Sequence, residues 1–157
     1  MAGGEGRVEC GPAPSALSMA SPIIAAASPD DITALCRGLQ AFNRPHVGEI
    51  PVQPVNLVAR APDGALLGGI LAEVALGWLE IHVLWVEPAA RHEGLGAALV
   101  EQCERHGVAL GAHSARLDTF DWQAEAFYAA RGYRCFARLE DYPVGHERVF
   151  MRKGLDG

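Results

Sequence analysis

Cysteine is scarce in this chain, and what there is never pairs in sequence. Cys10, Cys36, Cys103 and Cys135 stand far apart with no C-x-x-C spacing, and Cys36 and Cys103 fall inside helical patterns. That scatter argues against a disulfide framework or a zinc site and predicts small, apolar thiols in a reducing compartment. The six histidines are dispersed as well. None is set at i, i+4 with another ligand type on a clear helix, so no metal is expected. Apolar runs all stop far short of the roughly 20 residues that cross a bilayer, which excludes a membrane-spanning helix. Basic stripes are missing too. A net charge of −6 leaves nothing to neutralise a phosphate backbone, so nucleic acid is not an expected partner, charged tRNA included. The same balance is compatible with cationic substrates such as amines. No Ser/His/Asp or Cys/His nucleophile arrangement is visible, and no internal repeat.

What is present reads as one domain. The 157 residues, half of them hydrophobic and a fifth charged, suffice for a single substantial core. Residues 1–20, rich in Gly, Pro, Ser and Ala without periodicity, predict a disordered tail, leaving 21–157 for the domain. Glu5 and Glu9 against Arg7 alone, with Pro12, Pro14 and Pro22, disfavour a signal peptide. The expected location is the cytoplasm, and Met19 competes with Met1 as the start.

Ile23 to Ala27 predicts a short strand. Ser28-Pro29-Asp30-Asp31 then predicts a helix start, with Ile32, Leu35 and Leu39 on one face to about Phe42. Asn43 to Pro54 reads as a loop. Strands follow at Val55–Arg60, Leu66–Leu76 and Trp78–Val86, broken by Pro62-Asp63-Gly64 and Gly77. A helix over Leu95–Ala109, a strand at Arg116–Phe120, a helix over Trp122–Arg131 and strands at Tyr133–Arg138 and Glu147–Lys153 complete the chain. This order implies an α/β fold with a mixed, mostly antiparallel sheet flanked by helices.

Between the third of the hairpin strands and its helix lies Glu87-Pro88-Ala89-Ala90-Arg91-His92-Glu93-Gly94-Leu95-Gly96. A helix N-terminus offers unpaired N–H groups and partial positive charge, so an anion is stabilised there. Glycines clear away Cβ atoms, and Arg91 adds a planar cation. The pattern suggests pyrophosphate binding by Arg91, His92, Glu93, Gly94, Leu95 and Gly96, mostly through main chain. A dinucleotide fingerprint lacks its third glycine here, and a P-loop lacks its Lys-Ser/Thr. A ligand-free tight turn is the bland alternative.

Arg91-x-x-Gly94-x-Gly96 resembles motif A of the GNAT acetyltransferase superfamily: Arg or Gln, two variable residues, Gly, one variable residue, then Gly or Ala. Phe127-Tyr128-Ala-Ala-Arg-Gly132-Tyr133 resembles the family's next motif at the expected distance. The likeness runs from about Ile23 to Leu155; LWV, LDTF, FYAARGY and LEDYPVGH resemble a bacterial subgroup whose acceptors are poorly defined. The resemblance implies a GNAT fold, acetyl-CoA as donor, and an amine acceptor on a small molecule or peptide. It leaves a homodimer open, since dimers are common in the family.

By the same resemblance, Leu84, Trp85 and Val86 hydrogen-bond the pantetheine arm through their backbone. Period-two alternation predicts Glu80, His82, Leu84 and Val86 on one strand face. Glu80 falls where histone-type members carry a general-base glutamate, with His82 the second candidate and a water able to mediate. Tyr128 falls on the family's general-acid tyrosine, against the alternative of plain core packing. Asp121 replaces a cofactor-touching Asn and is expected to cap the helix from Trp122. Asp118, Thr119, Asn43, His46, Glu49 and His146 are weaker acceptor-side candidates. A non-catalytic acyl-CoA-binding module is the competing function.

Overall fold

The structure, a computed structural model, describes residues 22–155; the tail expected over residues 1–20 lies outside them. Contacts divide the chain into two compact units, one ending at Phe42 and the other beginning at Asn43.

The described residues of the first unit are mostly helix α1, Pro29–Val47, whose last turns belong to the second. Its start is a reciprocal cap. The Ser28 amide donates to Asp31 Oδ2 at 2.8 Å, and the Asp31 amide donates to Ser28 Oγ at 3.2 Å. Two orphan donors are satisfied at once, and the bonds from Ser28 hold the Asp31 carboxyl below its ordinary range. Two expectations fail nearby. The strand predicted at Ile23–Ala27 is absent, since that stretch joins no ladder, and an apolar run without a neighbouring strand has nowhere to pair its backbone. The helix also passes Phe42 and tolerates Pro45, because Pro45 sits in the last turn. Gly48, at φ 70°, closes it by donating to the Arg44 carbonyl at 2.9 Å.

The second unit holds strands β1 (Gln53–Arg60), β2 (Leu66–Ala75), β3 (Trp78–Val86), β4 (Ser114–Phe120), β5 (Arg134–Glu140) and β6 (Glu147–Gly154). Helix α2 (Leu95–Ala109) joins β3 to β4, and the short α3 (Glu125–Ala129) joins β4 to β5. The sheet order is β1-β2-β3-β4-β6-β5. Every ladder is antiparallel except β3–β4, the one adjacent pair joined through a helical crossover. The α/β class and the mostly antiparallel sheet are therefore as predicted.

Alternation makes the core. Ile70, Ala72 and Val74 of β2, Leu79 and Ile81 of β3, Ala115 and Leu117 of β4, and Val149 and Met151 of β6 are all buried. Onto them α2 lays Leu99, Val100, Cys103 and Gly107, the face its periodicity predicts. Burying each large side chain contributes about 1.5–3 kcal/mol. Gly107 sets how close helix and sheet come, since a Cβ there would stand 3.1 Å from Leu79. A second tie is polar: Tyr133 donates to Glu104 Oε1 at 2.9 Å and Lys153 donates to Oε2 at 2.6 Å. That bond to Glu104 and burial both push the Tyr133 phenol upward, burial most.

Candidate functional site

The sheet comes apart in its middle. Strands β3 and β4 are in register only from Trp78–Ser114 to Ile81–Leu117, yet β3 continues to Val86 and β4 to Phe120. The cause is a bulge in the β2–β3 ladder. Leu71 faces Val83 and Ala72 faces Ile81, which leaves His82 without a partner. An extra residue bends and twists its strand, so β3 turns away from β4 beyond that point. Val83 to Val86 keep β2 on one side and present an open backbone edge on the other.

The bulge also corrects the predicted alternation. Glu80, His82, Leu84 and Val86 do not share a face, because one extra residue inverts the parity of all that follows. Leu84 and Val86 pack against the core on the side of Leu79 and Ile81, whereas Glu80 stands opposite Glu73 on the other face. Trp85 remains substantially exposed.

Past Val86 the chain makes a 3₁₀ turn, Pro88–Ala90, and reaches the glycine corner. Arg91 Nε donates to the Val86 carbonyl at 2.9 Å, fixing the guanidinium at the end of the open edge. His92 and Gly94 both take positive φ, 67° and 82°, which turns successive amides toward one side. Among the described residues, the backbone N–H groups of His92, Glu93, Gly94, Leu95, Gly96 and Ala97 make no hydrogen bond; the first in this run that does is Ala98, to the Gly94 carbonyl. Six consecutive free donors, at a helix start beside an arginine, fit a polyvalent anion such as a diphosphate. Nothing lies within 4 Å of where a Gly94 Cβ would be, while a Gly96 Cβ would meet the Phe127 ring at 3.4 Å. The two sequence motifs thus touch.

Tyr128 adjoins that contact. Its ring packs edge-on to Phe127 and Tyr133 and is 6% exposed. The hydroxyl has no protein hydrogen bond, yet no buried side-chain polar atom among the described residues is left unpaired; the hydroxyl itself must be what reaches solvent. Burial pushes the phenol up to about 12, with Arg131 opposing and Cys103 adding, so it keeps its proton at neutral pH.

The other cluster lies on β2–β4. The ligand atoms of Glu73, Glu80 and His82 are all within 4.8 Å of one another, and His82 Nε2 is 3.6 Å from Glu73 Oε1. Glu80 accepts from Arg116 through Oε2, leaving Oε1 open. A cavity of about 380 Å³ adjoins them, lined also by Trp78, Phe136 and Arg152. Sequence reasoning missed Glu73, Arg116 and Arg152. Glu73 had a signal: Leu76 and Gly77 both take positive φ, the type I′ turn of a two-residue hairpin, and counting outward from it pairs 73 with 80.

The remaining candidates have other partners. Asp121 does not cap a helix at Trp122; it meets His146 Nδ1 at 3.2 Å, and α3 begins later, at Glu125 after Ala124. Asp118 pairs with Arg148 at 2.6 Å, and buried Thr119 donates to Gln123 Oε1. Asn43 and His46 lie in the last turns of α1, not in a loop, and Glu49 pairs with Arg44 at 2.5 Å.

The family model of the acetyltransferase (GNAT) family matches residues 38–133. Blasticidin-S acetyltransferase of Streptomyces morookaense is 37% identical over 119 residues, which are 74% of this chain and 88% of that protein. An acetyltransferase of Agrobacterium fabrum (strain C58 / ATCC 33970) is 27% identical over 115 residues, 73% of this chain and 84% of its own. The crystal structure of an acetyltransferase from Bacillus cereus ATCC 14579 superposes with a TM-score of 0.80 at 28% identity, covering 85% of this chain and 97% of that one.

Proposed function

Because this chain belongs to the acetyltransferase (GNAT) family, an acetyl-CoA-dependent group, we propose that it acetylates an amine of a small molecule by direct transfer while donor and acceptor are bound together. The observation that carries the reading is the run of six free amides beside an open strand edge. The relationship to a blasticidin-S acetyltransferase supports a small-molecule acceptor over a protein one, and both curated relatives being acetyltransferases disfavours a non-catalytic module.

In this reading the amides of His92 to Ala97 and the Arg91 guanidinium hold the diphosphate. The open edge at Leu84, Trp85 and Val86 takes the pantetheine arm as an added strand would. Glu80 accepts the amine proton, directly or through a water, and His82 is the second base in reach of the same place. Tyr128, protonated and solvent-facing, donates to the departing sulfur. Transfer forms a C–N bond and breaks the thioester C–S bond. One proton leaves the amine and one reaches the thiolate, so no covalent enzyme intermediate is needed.

Steady-state kinetics with acetyl-CoA and an amine panel test this. Glu80→Gln and Tyr128→Phe should each lower kcat about 100-fold, a usual contribution of positioned acids and bases, and initial-rate plots should intersect, as direct transfer requires. Rates within a factor of two for both variants would remove these residues from the chemistry. Parallel plots would replace direct transfer with a covalent route.

A further inference from the structure

One rung of the sheet carries an ordered row of charge. Glu73 of β2 faces Glu80 of β3, Glu80 faces Arg116 of β4, Arg116 faces Arg152 of β6, and Arg152 faces Arg134 of β5. Residues opposite one another share a face, and here it is the face turned away from the core, since the neighbours Leu79, Ile81, Ala115, Leu117 and Met151 are buried. The row is polar from end to end: two carboxylates, then three guanidiniums.

Its charges are not all spent on one another. Glu80 and Arg116, at the junction, form an ion pair. Among the described residues Glu73 pairs with no lysine or arginine: the groups beside it are His82, at 3.6 Å, and the like-charged Glu80. Among the described residues Arg152 meets no carboxylate; its guanidinium lies over the Phe136 ring at 5.7 Å. Glu73, Glu80, Arg116 and Arg152 nonetheless line the same cavity of about 380 Å³, with Trp78 and Phe136 as apolar walls. That volume suits a small organic molecule. A cation fits the glutamate end, and a carboxylate fits the planar fork of Arg152. Adjacent strands stand about 4.8 Å apart, so Glu80 and Arg152, two strands apart, are anchored about 10 Å from each other.

We infer that the acceptor is a zwitterion whose reacting amine sits at Glu73 and Glu80 and whose carboxylate, several bonds away, is held by Arg152. The inference rests on the proposed acetylation, with the acceptor amine bound at the Glu73 and Glu80 end of the cavity whichever group then takes its proton. Arg152 is then a specificity-determining residue and takes no part in proton transfer.

The test compares 6-aminohexanoate with its methyl ester, and glycine with glycine methyl ester, at saturating acetyl-CoA on the full chain. For the long pair kcat/KM should favour the free acid about tenfold or more, through KM, and the short pair should show a smaller ratio. Arg152→Gln should bring the long-pair ratio close to one, and Arg152→Lys should keep part of it; thermal midpoints confirm that both variants fold. Equal use of acid and ester, a preference that outlives Arg152→Gln, or no turnover of either long probe overturns the inference. Glu80→Gln separates the two readings: an unchanged rate with the acid preference intact removes the base and leaves the zwitterion site standing.

Discussion

Two pairs of glycines lie near β3, and they are glycines for opposite reasons. Gly68 and Gly69 of β2 are crowded. A Cβ on Gly68 would stand 2.7 Å from the Trp85 carbonyl oxygen, and one on Gly69 would stand 2.9 Å from that of Leu57. Backbone cannot retreat as a flexible side chain can, so the fold itself forbids a larger residue. Around Gly94 there is nothing within 4 Å, and a Cβ on Gly96 would meet only side chains, the Phe127 ring and a Val86 methyl, at ordinary contact distance. The first pair is small because the protein is already there. The second leaves room for something else to arrive, and a glycine unexplained by its neighbours is the better pointer to a ligand.

Substitutions can break this contrast. Gly68→Val should have the largest effect, a loss of about 3 kcal/mol from overpacking against backbone and a fall of roughly 6–12 °C in Tm, with acetyl-CoA affinity in the surviving folded fraction unaltered. A midpoint near wild type would erase the distinction. Next comes the double change Gly94→Ala and Gly96→Ala. Calorimetry should show acetyl-CoA Kd rising about thirtyfold, roughly 2 kcal/mol, while left-handed backbone at Gly94 adds only about 1 kcal/mol of strain to folding. Unchanged binding would take the corner out of the site. Tyr133→Phe, remote from both pairs, should lose about 1 kcal/mol for its bond to Glu104, seen in urea unfolding, and serves as the reference for a purely structural change.

The gentlest test uses pH. Burial raises Cys103 from 9.0 to about 12 and Tyr128 from 10.0 to about 12. Both groups are held neutral in the fold and release protons earlier when unfolded. Their stabilisation is therefore complete below about pH 9 and is lost as pH rises through 12. Tyr128→Phe should move the alkaline unfolding transition upward. Below pH 10 the phenol stays protonated, so an alkaline fall in activity there would have to come from another group.

Much of this was legible in the sequence because it is local. Alternation marked the strands, four-residue spacing marked α2, and the glycine corner announced itself as a strand-to-helix junction. What escaped depends on partners far along the chain. Ile23–Ala27 has the composition of a strand and no neighbour to pair with. The helix predicted from Trp122 shrank to α3 because Asp121 is taken by His146, while Gln123 turns back to accept from the Phe120 amide and the Thr119 hydroxyl. The bulge at His82 lies in the ladder and not in any motif, yet it decides which face Leu84 and Val86 occupy. The charged rung needed four registers at once, of which only the Leu76-Gly77 hairpin could have been counted from residues alone.

The parting of β3 from β4 has a kinetic signature. Amides of Val83 to Val86 that point into the wedge lack a carbonyl across from them and should trade hydrogen for deuterium within the dead time of a manual experiment, while those facing β2 hold theirs. When a donor molecule lies along that edge it completes the missing half-ladder, and the same positions should fall silent. The ligand would then be, for as long as it stays, a seventh strand.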